Sequence, residues 1–171
     1  MAGMAEPIGF FITWTCYGTW LYGDERGSVD DEHNAYGTPY LSPNDRRTTA
    51  LRRRLRHPPF RVTNAARELV ANTIKEHCRH RGWELLAVNA RSNHVHVVVG
   101  FAGVAPEMMM GEWKAWGSRR LREHGSAPPG QRVWTRHGST RYVWKKRDLD
   151  PAVAYVVEGQ DAIRFGDSRG L

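Results

Sequence analysis

Two histidines that share one face of a predicted strand are the residues best suited to chemistry in this chain. His94 and His96 stand two positions apart within the valine-rich run 94–99. Such β-branched runs favour a buried strand, and residues i and i+2 of a strand project from the same face. Buried imidazoles need partners, and a neutral imidazole is a frequent metal ligand. The spacing therefore predicts a two-histidine metal site, with two hydrogen-bonded strand histidines as the alternative.

A single tyrosine in an otherwise small and apolar helix is the second candidate. Residues 150–158 are apolar apart from their first residue, Tyr155 and Glu158. Asp150 is predicted to cap this helix, with Pro151 at its first position and Gly159 as its stop. The helix would lay Tyr155 on the sheet. The alternative is an ordinary core tyrosine whose hydroxyl reaches the surface.

Composition places the chain among globular proteins with a polyanionic partner. It has 171 residues, 40% of them hydrophobic and 25% charged, which suffices for one domain with a core. The formal net charge of +7 indicates nucleic acid as the partner. Two cysteines exclude a disulfide framework and a zinc knuckle. With no signal-like start and no apolar run of membrane length, we expect a cytoplasmic, nucleoid-associated protein and no membrane partner.

The pattern along the chain predicts a single α+β domain over residues 1–171, with helices packed on an antiparallel central sheet. Strands are predicted at 8–16, 83–90 and 94–101, and helices at 64–80 and 106–123. A hairpin is predicted from 132–136 and 140–144, before the tyrosine helix. Residues 17–60 are predicted to be a long irregular excursion, with one short basic helix near 48–56.

A basic stretch with interleaved aromatic residues predicts a surface for single-stranded nucleic acid. Residues 112–147 hold ten basic residues against two acidic ones. Trp134, Tyr142 and Trp144 offer faces for unstacked bases, whereas Trp113 and Trp116 are predicted to be core. A solvated helix face is the alternative for part of the stretch. The candidate DNA-binding residues are Lys114, Arg119, Arg120, Arg132, Arg136, His137, Arg141, Lys145 and Lys146.

These features together resemble the single-tyrosine HUH endonucleases, in particular the transposases of small insertion sequences and the REP-associated tyrosine transposases. The residues that carry the resemblance are Arg91-Ser92-Asn93-His94-Val95-His96-Val97-Val98, the segment 133–142, and Ala154-Tyr155-Val156-Val157-Glu158-Gly159-Gln160. The resemblance covers roughly residues 8–160. It implies a ferredoxin-like fold and a DNA transposase that nicks and joins single-stranded or hairpin DNA, and it allows a homodimer.

The resemblance also implies roles for individual residues. Tyr155 would be the nucleophile and form a 5′-phosphotyrosine link, and His94 and His96 would hold Mg²⁺ or Mn²⁺. In related transposases a side chain one turn after the tyrosine completes the metal site. The corresponding residue here is Gly159, so Gln160 is expected to take that role, with Glu158 as its alternative.

The sequence is also compatible with two other functions. The first is a DNA-hairpin-binding protein of transposase descent that no longer cleaves, which the glycine at the expected ligand position keeps open. The second is a metalloprotein with unrelated chemistry, which is weakened because no three-ligand zinc spacing is visible.

Overall fold

Four antiparallel strands form the sheet that carries the histidines. The computed structural model describes residues 5–21 and 43–158. The strands are β1 (Gly9–Thr15), β2 (Leu85–Ala90), β3 (His94–Gly100) and β4 (Ser139–Val143). Their order is β2-β3-β1-β4, so the histidine strand β3 lies inside the sheet. Its predicted hairpin with β2 is confirmed.

Helices cover both faces of this sheet. They are α1 (Asp45–Arg53), α2 (Asn64–Arg81), α3 (Pro106–Glu123) and α4 (Lys146–Glu158). Helices α2 and α3 pack on each other and on one face, while α4 contacts β2 and β3 on the other. The predicted α+β architecture with an antiparallel sheet is therefore confirmed. No helix among residues 5–21 and 43–158 has the length and apolar character needed to cross a lipid bilayer.

Strand alternation divides the buried side chains between the two faces. Phe10, Ile12 and Trp14 of β1 and alternate valines of β3 form the main core with α2 and α3. Val98 faces the opposite way and joins a smaller cluster with Ala152 and Val156 of α4. A central strand with helices on both faces is apolar on both faces. His94 and His96 interrupt this pattern on the α4 face.

The start and end of α2 follow the predicted signals. The Thr63 hydroxyl oxygen accepts a hydrogen bond from the Ala66 N–H at 3.3 Å, as an N-cap residue does. Gly82 ends the helix with a φ of 70°, a conformation that glycine adopts without strain.

Of the excursion predicted at 17–60, residues 22–42 lie outside the described part of the chain. The short basic helix predicted near 48–56 corresponds to α1, which begins earlier.

The predicted hairpin of residues 132–136 with 140–144 is wrong. Strand β4 pairs with β1, from Gly9↔Val143 to Thr13↔Ser139. The preceding segment contacts the continuation of β1 through a bridge between Cys16 and Trp134. Both segments therefore lie along one distant strand instead of pairing with each other. The alternation of side chains that predicts a strand does not identify its partner.

Two further predictions are corrected by the structure. Helix α4 begins at Lys146, so Asp150 is not its cap and Pro151 lies inside it. A proline without an N–H is best tolerated in a first turn, and that preference suggested a start one turn too late. Trp113 is buried as predicted, with 1% exposure, but Trp116 is 43% exposed on the outer side of α3 and is not a core residue.

Candidate functional site

The two histidines share one face of β3, as their spacing predicted, and α4 covers that face. In the strand register His94 is opposite Thr15 and His96 is opposite Thr13 of β1. The centroids of the two imidazole rings are 4.6 Å apart. His96 has only 7% of its surface exposed, while His94, at the start of the strand, is half-buried. The sheet thus presents two adjacent imidazoles at one end of a covered face.

Hydrogen bonds fix the orientation of both rings. His94 Nδ1 lies 2.7 Å from the side-chain oxygen of Asn93. That oxygen accepts hydrogen bonds and donates none, so His94 donates its Nδ1 proton to it, and in the neutral ring Nε2 carries the lone pair. His96 Nδ1 lies 2.7 Å from the hydroxyl oxygen of Thr13. Hydrogen bonds of this kind on one nitrogen orient the other nitrogen towards a cation.

Burial keeps His96 uncharged at neutral pH. Burial lowers the pKa of His96 to about 3, and electrostatic repulsion from the neighbouring His94 and Arg91 contributes to this shift. The neutral ring is the form that binds metal ions, because ligation needs a lone pair on nitrogen. The residues present therefore fit two nitrogen ligands of a divalent cation.

The turn between β2 and β3 is held in place by other parts of the chain. The Ser92 carbonyl accepts a hydrogen bond from the Val62 N–H at 2.8 Å, and the Asn93 carbonyl accepts one from the Cys16 N–H at 2.7 Å. The Thr19 hydroxyl also donates to the Asn93 carbonyl at 3.2 Å. Since His94 follows directly, these bonds determine where the first imidazole lies.

Helix α4 brings Tyr155 to the two histidines. The Tyr155 ring centroid lies 5.5 Å from that of His96 and 6.1 Å from that of Phe11 on β1. Burial raises the pKa of Tyr155, and the nearby charge of Arg91 acts in the opposite direction. A phenol with a raised pKa is protonated at neutral pH. Tyr155 therefore needs local assistance to act as a nucleophile.

A side chain of β2 attaches this helix to the sheet. Asn89 is opposite His96 in the register, and its Nδ2 donates a hydrogen bond to the Val156 carbonyl at 3.0 Å. That carbonyl belongs to the last described turn of α4. Asn89 thereby holds α4 against the sheet at the residue that follows Tyr155.

Replacing Asn89 with alanine is expected to lower the free energy of unfolding by about 1–2 kcal/mol, because the Val156 carbonyl loses its donor in a covered position. Urea denaturation followed by circular dichroism measures this. Asn72→Ala, at an exposed position of α2, is the matched control and should cause no loss. Equal stability of the Asn89 and Asn72 variants would contradict this anchoring role.

Of the two residues predicted as the third metal ligand, the structure describes only Glu158. Gln160 lies outside the described residues, as does Gly159. Glu158 is the last residue of α4, one turn beyond Tyr155, and is exposed. Within residues 5–21 and 43–158, no three His, Cys, Asp or Glu side chains gather as a metal cluster. The identity of the third ligand stays a prediction.

The predicted DNA-binding residues of α3 and the start of α4 are in surface ion pairs. Arg119 contacts Glu123 at 2.9 Å, and Arg120 contacts Glu76 at 3.3 Å. Lys146 contacts Asp150 at 3.1 Å. Exposed pairs of this kind contribute about 0–1 kcal/mol, so they do not prevent these side chains from meeting phosphate. Arg119 and Arg120 lie on the layer opposite Tyr155.

Lys114 differs from the other predicted DNA-binding residues because its ammonium group donates hydrogen bonds to backbone carbonyls of the protein. Its Nζ donates to the carbonyls of Thr135, Arg136 and His137 at 2.9, 3.3 and 3.0 Å. Burial lowers the pKa of Lys114 to about 8. These three bonds hold the loop that precedes β4. A contact between Lys114 and DNA stays a prediction.

The remaining predicted residues are exposed, and they lie in the loop before β4 and around that strand. Arg132 lies over the Tyr17 ring, with its guanidinium carbon 5.5 Å from the centroid. Arg141 is opposite Phe11 in the register, on the face that α4 covers. The residues in this group are Arg132, Arg136, His137, Arg141 and Lys145.

Two clefts flank this region. One of about 370 Å³ lies between β4 and α4 and is lined by Phe11, Arg141 and Trp144, among others. Trp144 is 50% exposed and Tyr142 44%, and their rings are stacked with centroids 6.2 Å apart. The other cleft, of about 550 Å³, lies beside α3, and Arg56 and Arg122 contribute positive charge to its lining.

The sequence did not identify three residues that surround the histidines and Tyr155. Thr13, Asn89 and Arg91 belong to neighbouring strands or their ends and reach the site through the register. The only available signal for them was the polar character of Thr13 and Asn89 within otherwise apolar strands. Such a signal does not say which face of the sheet a residue occupies.

Comparison with known proteins agrees with this geometry. No curated protein matches the chain. A family model described as transposase IS200 like matches residues 51–151, which is more than half of the chain. The matched range contains His94 and His96 and ends before Tyr155. The resemblance to transposases of small insertion sequences is thereby confirmed: the chain belongs to the IS200-like transposase family.

Proposed function

We propose that this transposase cleaves and rejoins single-stranded DNA, with Tyr155 as its nucleophile. The observation that supports the proposal most strongly is the contact between Tyr155 and His96, whose ring centroids are 5.5 Å apart. These residues are 59 positions apart in sequence and come from different elements, β3 and α4. A phenol beside two imidazoles, on a sheet face that a helix covers, combines a nucleophile with ligands for a cation.

The proposed reaction is a phosphoryl transfer. The Tyr155 hydroxyl oxygen attacks a phosphodiester, forms an O–P bond and displaces the 3′ oxygen of the preceding nucleotide. The phenol proton leaves to solvent, and the departing 3′ oxygen takes up a proton to become a hydroxyl. The 5′-phosphotyrosine link conserves the phosphodiester's energy, so a 3′-hydroxyl rejoins the strand by the reverse step without ATP.

The residues proposed to hold a divalent cation, Mg²⁺ or Mn²⁺, are His94 and His96, with Gln160 or Glu158 as the third ligand. Such a cation, when bound, would neutralise charge at the scissile phosphate and orient its oxygens. The neutral state of His96 and the Nδ1 proton of His94 support this assignment. Asn93 and Thr13 hold the two rings in the required orientation.

The DNA strand is proposed to cross the site along β4 and α4. Arg141 and Lys145 supply positive charge there, and Trp144 exposes an indole face next to the cleft that Phe11 lines. Phe11 also contacts both His96 and Tyr155. A base that stacks on Trp144 would therefore belong to a nucleotide close to the reacting phosphate. Cationic side chains beside aromatic faces are typical of single-strand binding surfaces.

Trp144→Ala is expected to weaken binding of single-stranded DNA by roughly 5- to 150-fold, because stacking contributes about 1–3 kcal/mol per base. Fluorescence anisotropy with a labelled oligonucleotide, at one fixed salt concentration, measures the change. Trp116→Ala is the matched control, since the Trp116 side chain is similarly exposed but lies on the opposite side of the sheet. If both variants lose the same affinity, the proposed path along β4 is wrong.

The experiment that tests the proposed function is a nicking assay. Single strands of the DNA that flanks the coding sequence are incubated with the protein and Mn²⁺ or Mg²⁺. Cleavage with a covalent protein–DNA adduct supports the proposal. Binding without cleavage would indicate the inactive hairpin-binding protein, and cleavage without an adduct would indicate a hydrolytic nuclease.

A further inference from the structure

Arg91 lies on the same sheet face as the two histidines. It follows the last residue of β2, where Ala90 is opposite Val95, and its N–H donates to the His94 carbonyl at 2.8 Å. Since side chains alternate along a strand, Arg91 shares its face with Asn89, which is itself opposite His96. Arg91 is thus the direct cross-strand neighbour of His94.

Arg91 lies beside both parts of the site. The ring of its cross-strand neighbour His94 is 4.6 Å from that of His96, and the His96 ring is 5.5 Å from that of Tyr155. The Arg91 side chain is half-buried. One guanidinium group therefore lies on the same sheet face as the proposed metal ligands and the ring of the proposed nucleophile.

Arg91 also lacks the carboxylate partner that several other arginines have. Arg81, Arg119 and Arg120 each contact a glutamate. Across the described ranges 5–21 and 43–158, the guanidinium of Arg91 has neither a hydrogen bond nor a salt bridge. Withdrawing a cation from water is costly unless an anion compensates it. The Arg91 guanidinium is thus available to bind an anionic group of a substrate.

We propose that Arg91 is a catalytic residue that binds the non-bridging oxygens of the scissile phosphate. This inference rests on the proposed function. The guanidinium presents parallel N–H donors that match two phosphate oxygens. As the Tyr155 oxygen bonds to phosphorus and the 3′ oxygen departs, these donors stabilise the negative charge on the phosphoryl oxygens. Arg91 keeps its protons throughout, because a guanidinium does not deprotonate in proteins.

The test begins with single-turnover cleavage of an oligonucleotide that the wild-type protein nicks. Arg91→Gln should lower the rate by about 10²- to 10³-fold, the loss typical of one donor to a developing anion. Arg91→Lys should fall between Arg91→Gln and wild type, since it keeps the charge but loses the paired donors. Arg79→Gln removes the same charge from an exposed position of α2 and should leave the rate unchanged. Circular dichroism should be equal for all four proteins, and all four should retain Mn²⁺ binding, because Arg91 is not among the proposed ligands.

A substrate with a neutral methylphosphonate at the scissile position separates a catalytic from a structural role. With one charged oxygen removed, the reaction needs less charge compensation, so the loss caused by Arg91→Gln should shrink to about tenfold or less. An equal loss on both substrates, or a wild-type rate for Arg91→Gln on the phosphodiester, would overturn the assignment of Arg91 alone. Absence of any wild-type cleavage would instead overturn the proposed function, and the Arg91 inference with it.

Discussion

Replacing Tyr155 with phenylalanine is expected to abolish DNA nicking and leave the fold and DNA binding intact. The substitution removes one oxygen atom from a ring that contacts His96 and Phe11, and the ring packing is retained. Loss of a covalent nucleophile lowers turnover by more than about 10⁴-fold. A denaturing gel of protein incubated with labelled single-stranded DNA and Mn²⁺ should show a slow, protease-sensitive band for wild type and none for the variant.

Tyr17→Phe provides the control for this experiment. It removes the same hydroxyl group from a buried tyrosine whose oxygen accepts a hydrogen bond from the Arg56 N–H at 3.1 Å. We expect this variant to form the adduct as wild type does. An adduct that persists in Tyr155→Phe would assign the nucleophile to another residue. Nicking without an adduct would mean that water is the nucleophile.

The double variant His94→Ala/His96→Ala is expected to lose Mn²⁺ binding and nicking. The two rings are adjacent, and His96 is neutral because of its burial. Removing both therefore removes two nitrogen ligands that the sheet holds in place. Isothermal titration calorimetry with Mn²⁺ alone measures the first effect without DNA.

A matched pair of exposed histidines serves as the control that distinguishes a specific Mn²⁺ site from binding of Mn²⁺ to surface histidines in general. His80→Ala/His124→Ala changes two surface residues on α2 and just after α3 and should leave Mn²⁺ affinity unaltered. Because His96 is a buried hydrogen-bonded residue, the thermal unfolding of the His94/His96 variant must also be recorded. Undiminished Mn²⁺ binding by that variant, in folded form, would contradict the metal assignment.

The parts of the structure that were predictable are those with local signals. The valine run and the spacing of His94 and His96 predicted a buried strand with both rings on one face, because strand alternation is a property of the chain itself. The bounds of helix α2 were also predictable, since Thr63 and Gly82 cap its two ends. The nucleophile role predicted for Tyr155 comes from the resemblance to a family and not from periodicity.

The parts that were not predictable depend on which distant segments pair. Strand β4 pairs with β1, more than a hundred residues earlier, and no local pattern distinguishes that partner from a hairpin neighbour. The same limit applies to Thr13 and Asn89, which reach His96 through strand register. Charge alone predicts a DNA contact for Lys114, whereas its three bonds to carbonyls depend on the loop before β4.

The most direct measurement of the central claim is mass spectrometry of the covalent adduct. Wild-type protein is incubated with single-stranded flanking DNA and Mn²⁺, then digested with nuclease and protease. We expect a peptide containing Tyr155 whose phenol oxygen carries the 5′ phosphate of a nucleotide, and no such mass in Tyr155→Phe. A nucleotide attached to any other residue, or cleaved DNA with no modified peptide, would contradict the account.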